Sequence, residues 1–254
     1  MFSKPIILYN NLLKNYTVTV SSEDSAYPKG NLTDGDINSL FKPQNSSDLT
    51  IRIDAGASVA VDAFCIGPKH NLATVSATVA LQYSATGAWA GEEANLFTPF
   101  DPATDNSYQH KLATQQSARY WQVKLSGMSG TPQIGEIAFG ARLMLPYFSG
   151  GYDKERRVEG NINVSDGGQR ETVIRHRRNA FPFTIADILI NSATETEILA
   201  WLDAVEDGTP FWFINDFHGA AMAAWFVSMA ELGRKSPYDT LGKRSFSGVM
   251  EEEL

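Results

Sequence analysis

"DLTIRIDAGASVAVDAFCIG", Asp48–Gly67, carries the clearest strand signal in the chain. Its first run, "LTIRID", alternates apolar and polar residues, as a strand with one buried face does, and "VDAFCIG" reads as a second strand. The theme recurs outward in both directions, in "YTVTV" from Tyr16, "VSATVALQYS" from Val75, "HKLA" from His110, "RYWQVKLSG" from Arg119 and "IGEIAFGARL" from Ile134. In "ARYWQVKL", Tyr120, Gln122 and Lys124 take one side of a strand, and Trp121, Val123 and Leu125 the other. Short strands, uneven turn-rich loops and no convincing amphipathic helix predict an all-β sandwich over residues 1–146.

The texture changes after "LMLPYFSGGYD", where Pro146, Gly150 and Gly151 punctuate the chain. "RRVEGNINVSDGGQRETVIRHRR" is two alternating runs around "SDGG", a hairpin signal. One helix follows, with Thr194 and Glu197 as a capping box, Ile198, Trp201, Leu202 and Val205 at helical spacing, and Gly208 as a left-handed stop. "TPFWFIND", "AWFVSMAEL" and "RSFSGVMEEEL" read as strands. Residues 147–254 are therefore expected to form a smaller β domain with one packed helix.

The chain has 254 residues, 43% of them hydrophobic, enough for substantial cores. Its net charge of −8 argues against non-specific nucleic-acid binding, and no apolar run suits membrane insertion. "MFSKPIILYNNLLKN" lacks the apolar stretch of a secretory signal. Cys65, alone inside "AFCIG", reads as a buried structural thiol rather than a nucleophile. His70, His110, His176 and His218 are scattered, with no metalloprotease, phosphate-loop or nucleophile-elbow pattern among them. In "GEEAN", the adjacent Glu92 and Glu93 point to opposite sides of an extended chain and cannot flank one glycosidic bond. A non-enzyme is expected.

Three segments carry a resemblance: "TVTVSSEDSAYPKGNLTDGD", "DLTIRIDAGASVAVDAFCIG" and "ARYWQVKLSG…IGEIAFG". Over about residues 11–143 the chain resembles the discoidin-like modules of the galactose-binding fold, jelly-roll β-sandwiches found in coagulation factors and carbohydrate-binding modules. The resemblance implies a structural calcium ion, with Asp34 and Glu136 as ligands and Asp36 and Asn38 nearby. "DGDIN" does offer side-chain oxygens at alternate positions, as a hard cation requires. Asx-turn chemistry selects the same residues without any ion. The resemblance also implies sugar binding, for which the candidates are Trp89 in the polar loop "TGAWAGEE", with His70, Tyr108 and His110 adding hydrogen bonds. The alternative for Trp89 is an indole folded back over the sandwich edge.

From the charged hairpin, the capped helix, "DGTPFWFIND" and a short acidic last strand, residues 148–254 are similar to the tail-tube-like β domain of phage distal tail and baseplate proteins. That implies a virion component at the phage tail tip, made in the host cytoplasm and forming a ring homo-oligomer with tube and hub proteins as neighbours. Its outer domain would then display a sandwich to host surface glycans. Arg156, Arg157, Arg175, Arg177 and Arg178 make the hairpin cationic, whereas from residue 187 onward twelve acids face four bases. Docking of this hairpin on the acidic flank of a second copy is the favoured reading, with Phe211 and Phe213 adding apolar contact. A solvated edge strand and a free-standing lectin or accessory module are the alternatives.

Overall fold

A computed structural model describes residues 4–89, 91–148, 154–164, 168–215, 222–231 and 242–253. The fold is mainly β, as the alternation predicted. Strands β2 (Val18–Val20), β3 (Leu49–Ile66), β6 (Gln109–Ser126), β4 (Thr78–Ser84) and β5 (Ala94–Asn95) lie side by side in that order, with β7 (Ile137–Gly140) paired to β3. "LTIRID" and "VDAFCIG" are one continuous strand, as are "HKLA" and "RYWQVKLSG". The register of the β3–β6 pair slips between Asp54 and Val59 and again between Val61 and Ala63. Such bulges bend a ribbon, and the pair joins β2 and β4 at one end and β7 at the other. Inside the sandwich Phe64, Trp121, Val123, Leu125 and Phe139 are completely buried.

The second sheet has seven strands in the order β8 (Leu143–Met144), β1 (Ile6–Leu8), β11 (Phe211–Asn215), β12 (Ala223–Glu231), β13 (Lys243–Glu252), β10 (Arg170–Leu189) and β9 (Glu155–Val164). Two of these come from residues expected in the first sandwich. The apolar "IIL" of β1 pairs antiparallel with β11 on one side and β8 on the other. A chain divided at 146/147 would thus split this sheet. One helical turn, α1 (Leu12–Asn15), capped by the Asn11 side chain, leads from β1 into the sandwich. At the crossing, a Cβ on Gly140 would strike the Asn10 carbonyl, so only glycine allows this approach.

Around β11 both faces of the seven-stranded sheet are covered. Helix α2 (Ala193–Val205) lays Ile198, Trp201, Leu202 and Val205 against Phe181, Phe183, Phe211 and Phe213. Its cap lies two residues earlier than predicted. Ser192 accepts from the Glu195 N–H at 3.1 Å, and Glu195 reaches back to the Asn191 N–H at 2.6 Å. Glu195 also pairs with Arg244 at 2.8 Å, which fixes the helix start to β13. On the opposite face Leu8, Trp212, Ile214, Ala224 and Phe226 pack with Ala63, Cys65 and Ala138 of the sandwich. Phe211 and Phe213 are therefore core on one side and Trp212 on the other, and none supplies an assembly surface. Cys65 is fully buried, and burial pushes its thiol pKa up, as a structural thiol requires.

The predicted hairpin forms from β9 and β10, although residues 165–167 of its turn are outside the described residues. A bulge between Ile174 and His176 breaks the register of the two strands. The side chain of Arg175 is outside the described residues, as is His218. β10 pairs with β13 from Ala180 onward, so among the described residues its first half has β9 as its only strand partner. Arg157 and Arg178 both reach Glu251 of β13, the second at 3.3 Å. Part of the charge complementarity expected between copies is thus satisfied within one chain. Arg156 and Arg177 remain exposed, as do Val158, Val164, Val173 and Ile174.

Candidate functional site

The acidic loop begins with a 3-10 turn at Lys29–Leu32. Asp34 then accepts the Asp36 N–H at 3.0 Å, and Asp36 accepts the Asn38 N–H at 2.8 Å. Two successive Asx turns shape the loop, with Gly35 between them at φ +85°. Glu136, 2% exposed just before β7, accepts the Gly35 N–H across the sandwich. Burial, more than any other cause, raises its carboxyl to about 8; the Gly35 hydrogen bond opposes this, and the charge and hydrogen bond of Asp34 add to it. Asp34 and Glu136 are thus brought together from opposite ends of the sandwich sequence. Two carboxyl groups sharing a site require a proton or a cation between them. Asp36 does not join them as a third acid: no group of three or more His, Cys, Asp or Glu that could hold a metal is found among the described residues.

The four sugar candidates do not meet. His70 is 3% exposed and is locked in place, its Nδ1 accepting the Leu72 N–H at 3.3 Å and its Nε2–H donating to the Ser107 carbonyl at 2.9 Å. Burial lowers its pKa. Tyr108 packs edge-on against Trp212 and donates to Glu252 at 3.1 Å, joining the sandwich to the second sheet. His110 stands opposite Cys65 on β3, half-buried at that same end of β6, its pKa lowered chiefly by burial. Tyr108 is tied to the second sheet, whereas His70 is held by Leu72 and Ser107 of the sandwich itself and His110 lies within the β3–β6 pair.

Trp89 lies elsewhere, half-buried at φ +52° in the loop after β4, with the Arg52 guanidinium 5.2 Å from its ring centroid. It does fold back over the sheet, onto a row of polar side chains. Arg52 Nε donates to Gln122 Oε1 at 2.8 Å, Gln122 Nε2 donates to Gln82 at 2.6 Å, and Gln82 donates to Asn95 at 2.9 Å. These residues sit in register on β3, β6, β4 and β5. Their neighbour Glu92, exposed, is held well down to about 2 by the hydroxyls of Ser84 and Thr86. Arg52, Gln82 and Asn95 escaped the sequence reading because register alone joins them. The outward phase of Gln122 was the one signal that pointed to this face.

Residues 17–139 match the F5/8 type C domain family, so the N-terminal region contains a domain of that kind. No curated protein matches the chain. Among solved structures, chitosan-binding module 1 of a chitosanase/glucanase from Paenibacillus sp. IK-5 is 17% identical, with 52% of this chain and 99% of the module covered at a TM-score of 0.44. The module CpGH89CBM32-5 from Clostridium perfringens, in complex with GalNAc-β-1,3-galactose, is 14% identical, with 50% and 96% covered at a TM-score of 0.43. The C-terminal domain of a chitobiase from Bacteroides fragilis is 14% identical, with 52% and 95% covered at a TM-score of 0.42.

Proposed function

We propose that the protein is a non-catalytic structural component of a phage tail tip whose sandwich displays a glycan-binding face. The observation that carries the binding half is Trp89 seated on Arg52 beside the Arg52–Gln122–Gln82–Asn95 row. Fixed amide donors and acceptors beside an aromatic ring suit a sugar, which offers hydroxyls on its rim and C–H groups on its faces. A structural calcium ion, if held, would belong to Asp34 and Glu136, stiffening the loop ahead of β3. A glycan array or host-envelope pull-down should show binding, and Trp89→Ala should weaken it by about tenfold or more. Absence of binding to every host surface fraction, or binding indifferent to Trp89→Ala, would remove this reading and leave a decorative module.

The assembly half is favoured by the β9–β10 hairpin, which carries exposed Val158, Val164, Val173 and Ile174 beside Arg156 and Arg177. An exposed apolar strand pair invites a second chain, and exposed charge pairs, worth only about 0–1 kcal/mol each, would set register more than affinity. Native mass spectrometry of the full chain should show oligomers that Val158→Glu with Ile174→Lys disperses. In purified particles, copies should surround the tail axis with the seven-stranded sheet inward and the sandwich outward. A protein missing from virions and monomeric at every concentration would be the free-standing lectin instead.

A further inference from the structure

Where the sandwich meets the second sheet, an open cleft of about 830 Å³ lies between β6, the β7–β8 turn, β1 and α2. Its size falls within the range of small-ligand sites, and junctions of this kind are where such sites concentrate. Its floor is built by the second bulge of the β3–β6 pair. The register passes from Val61 opposite Gln116 to Ala63 opposite Leu112, so Asp62 alone faces three residues of β6. Bulges of this kind re-aim side chains, and here Thr114 and Gln115 line the cleft beside Asp62. Asp62, 6% exposed, accepts the Arg142 N–H at 2.8 Å and pairs with Arg142 Nε at 3.3 Å. Tyr9 enters from the second sheet with Glu197 of α2 close enough for its charge, after burial, to raise the phenol pKa. Met144, 55% exposed, supplies an uncovered apolar edge.

We propose that this junction cleft is a second binding site, taking a neutral oligosaccharide. An aspartate and an arginine side by side place an acceptor next to a donor, which matches two vicinal hydroxyls, each able to give and to accept. The Tyr9 ring and Met144 offer apolar contact to the C–H face of a pyranose. The lining holds two acids, Asp62 and Glu197, against one base, Arg142, already neutralised by Asp62. A uronate or phosphorylated sugar would therefore bring its charge to a site with a surplus negative charge. The site shares the ligand class of the Trp89 face but none of its residues, so the two stand or fall separately.

The test is calorimetric titration of the full chain with maltotriose, the N-acetylglucosamine trisaccharide and trigalacturonate. A neutral trisaccharide should bind, and Tyr9→Ala and Gln115→Ala should each weaken it by about tenfold, equally in the parent and in a Trp89→Ala background. Gln115 is exposed on the bulge, so its variant tests the site without disturbing a core. Binding of neither neutral sugar overturns the proposal, as does affinity indifferent to Gln115→Ala and Tyr9→Ala. Trigalacturonate bound as tightly as the neutral sugars overturns it too. Binding abolished by Trp89→Ala alone assigns the sugar to the outer face and refutes the cleft.

Discussion

Deletion of residues 1–9 should unfold the seven-stranded sheet while leaving the sandwich largely formed. β1 sits between β8 and β11, and Ile6, Ile7 and Leu8 are at most 5% exposed. Burial of three such side chains contributes roughly 1.5–3 kcal/mol each. That sum is comparable with the whole stability of a domain, about 5–15 kcal/mol. Its loss would also strip one of the two strand partners from β11, leaving β12, and open the core around Phe213 and Trp212. Near-ultraviolet circular dichroism should lose the tryptophan signal of this sheet, and a peptide of residues 1–11 added in trans should restore part of it. A fragment beginning at residue 148 should fail for the same reason, lacking both β1 and β8. A truncated chain that melted within a few degrees of the full one would show that β1 is dispensable.

Raising the pH in calcium-free buffer should destabilise the sandwich through Glu136. Its folded pKa of about 8 lies above the ordinary 4.5, so the folded protein holds a proton that the unfolded chain releases. Stability contributed by that proton is complete below about pH 4.5 and is lost as pH climbs through 8. A shift of this size corresponds to at most about 5 kcal/mol. His70 and His110, whose pKa values are lowered by burial, act in the opposite sense, their stabilising contribution growing as pH rises through the ordinary histidine range. The informative quantity is thus the difference between the parent and Glu136→Gln, which should widen in favour of the variant from pH 5 to pH 9. Calcium at pH 8–9 should raise the parent melting temperature and should not act on Asp34→Ala or Glu136→Gln. Parallel pH profiles for parent and variant, with melting insensitive to chelator, would leave Glu136 as a buried acceptor for the Gly35 N–H and nothing more.

Local patterning reached as far as a mainly β chain, the inward set Trp121, Val123 and Leu125, the β9–β10 hairpin and, through helical spacing, the apolar face of α2. The family resemblance named Asp34 and Glu136, which the fold sets side by side, while turn chemistry by itself accounts for Asp34 without an ion. Local patterning misplaced the helix cap by two residues, since Ser192 and Thr194 carry the same capping chemistry and only the path of the entering chain chooses between them.

The tertiary structure alone decided which sheet each strand joined. "IIL" has the same pattern whether it closes the first sandwich or completes the second sheet, and three residues are too few to carry a preference. Pairing across some two hundred residues settled it. The same holds for surfaces. Phe211 and Phe213 could be assigned to opposite sides from Trp212 by alternation, but both sides of β11 proved to be covered. Tyr108 looked available until the second sheet brought Trp212 and Glu252 to it, His70 until its own sandwich buried it, and Arg157 and Arg178 looked unpaired until β13 brought Glu251 alongside. Exposure and partnership are properties of what packs against a strand, and local sequence encodes only the strand.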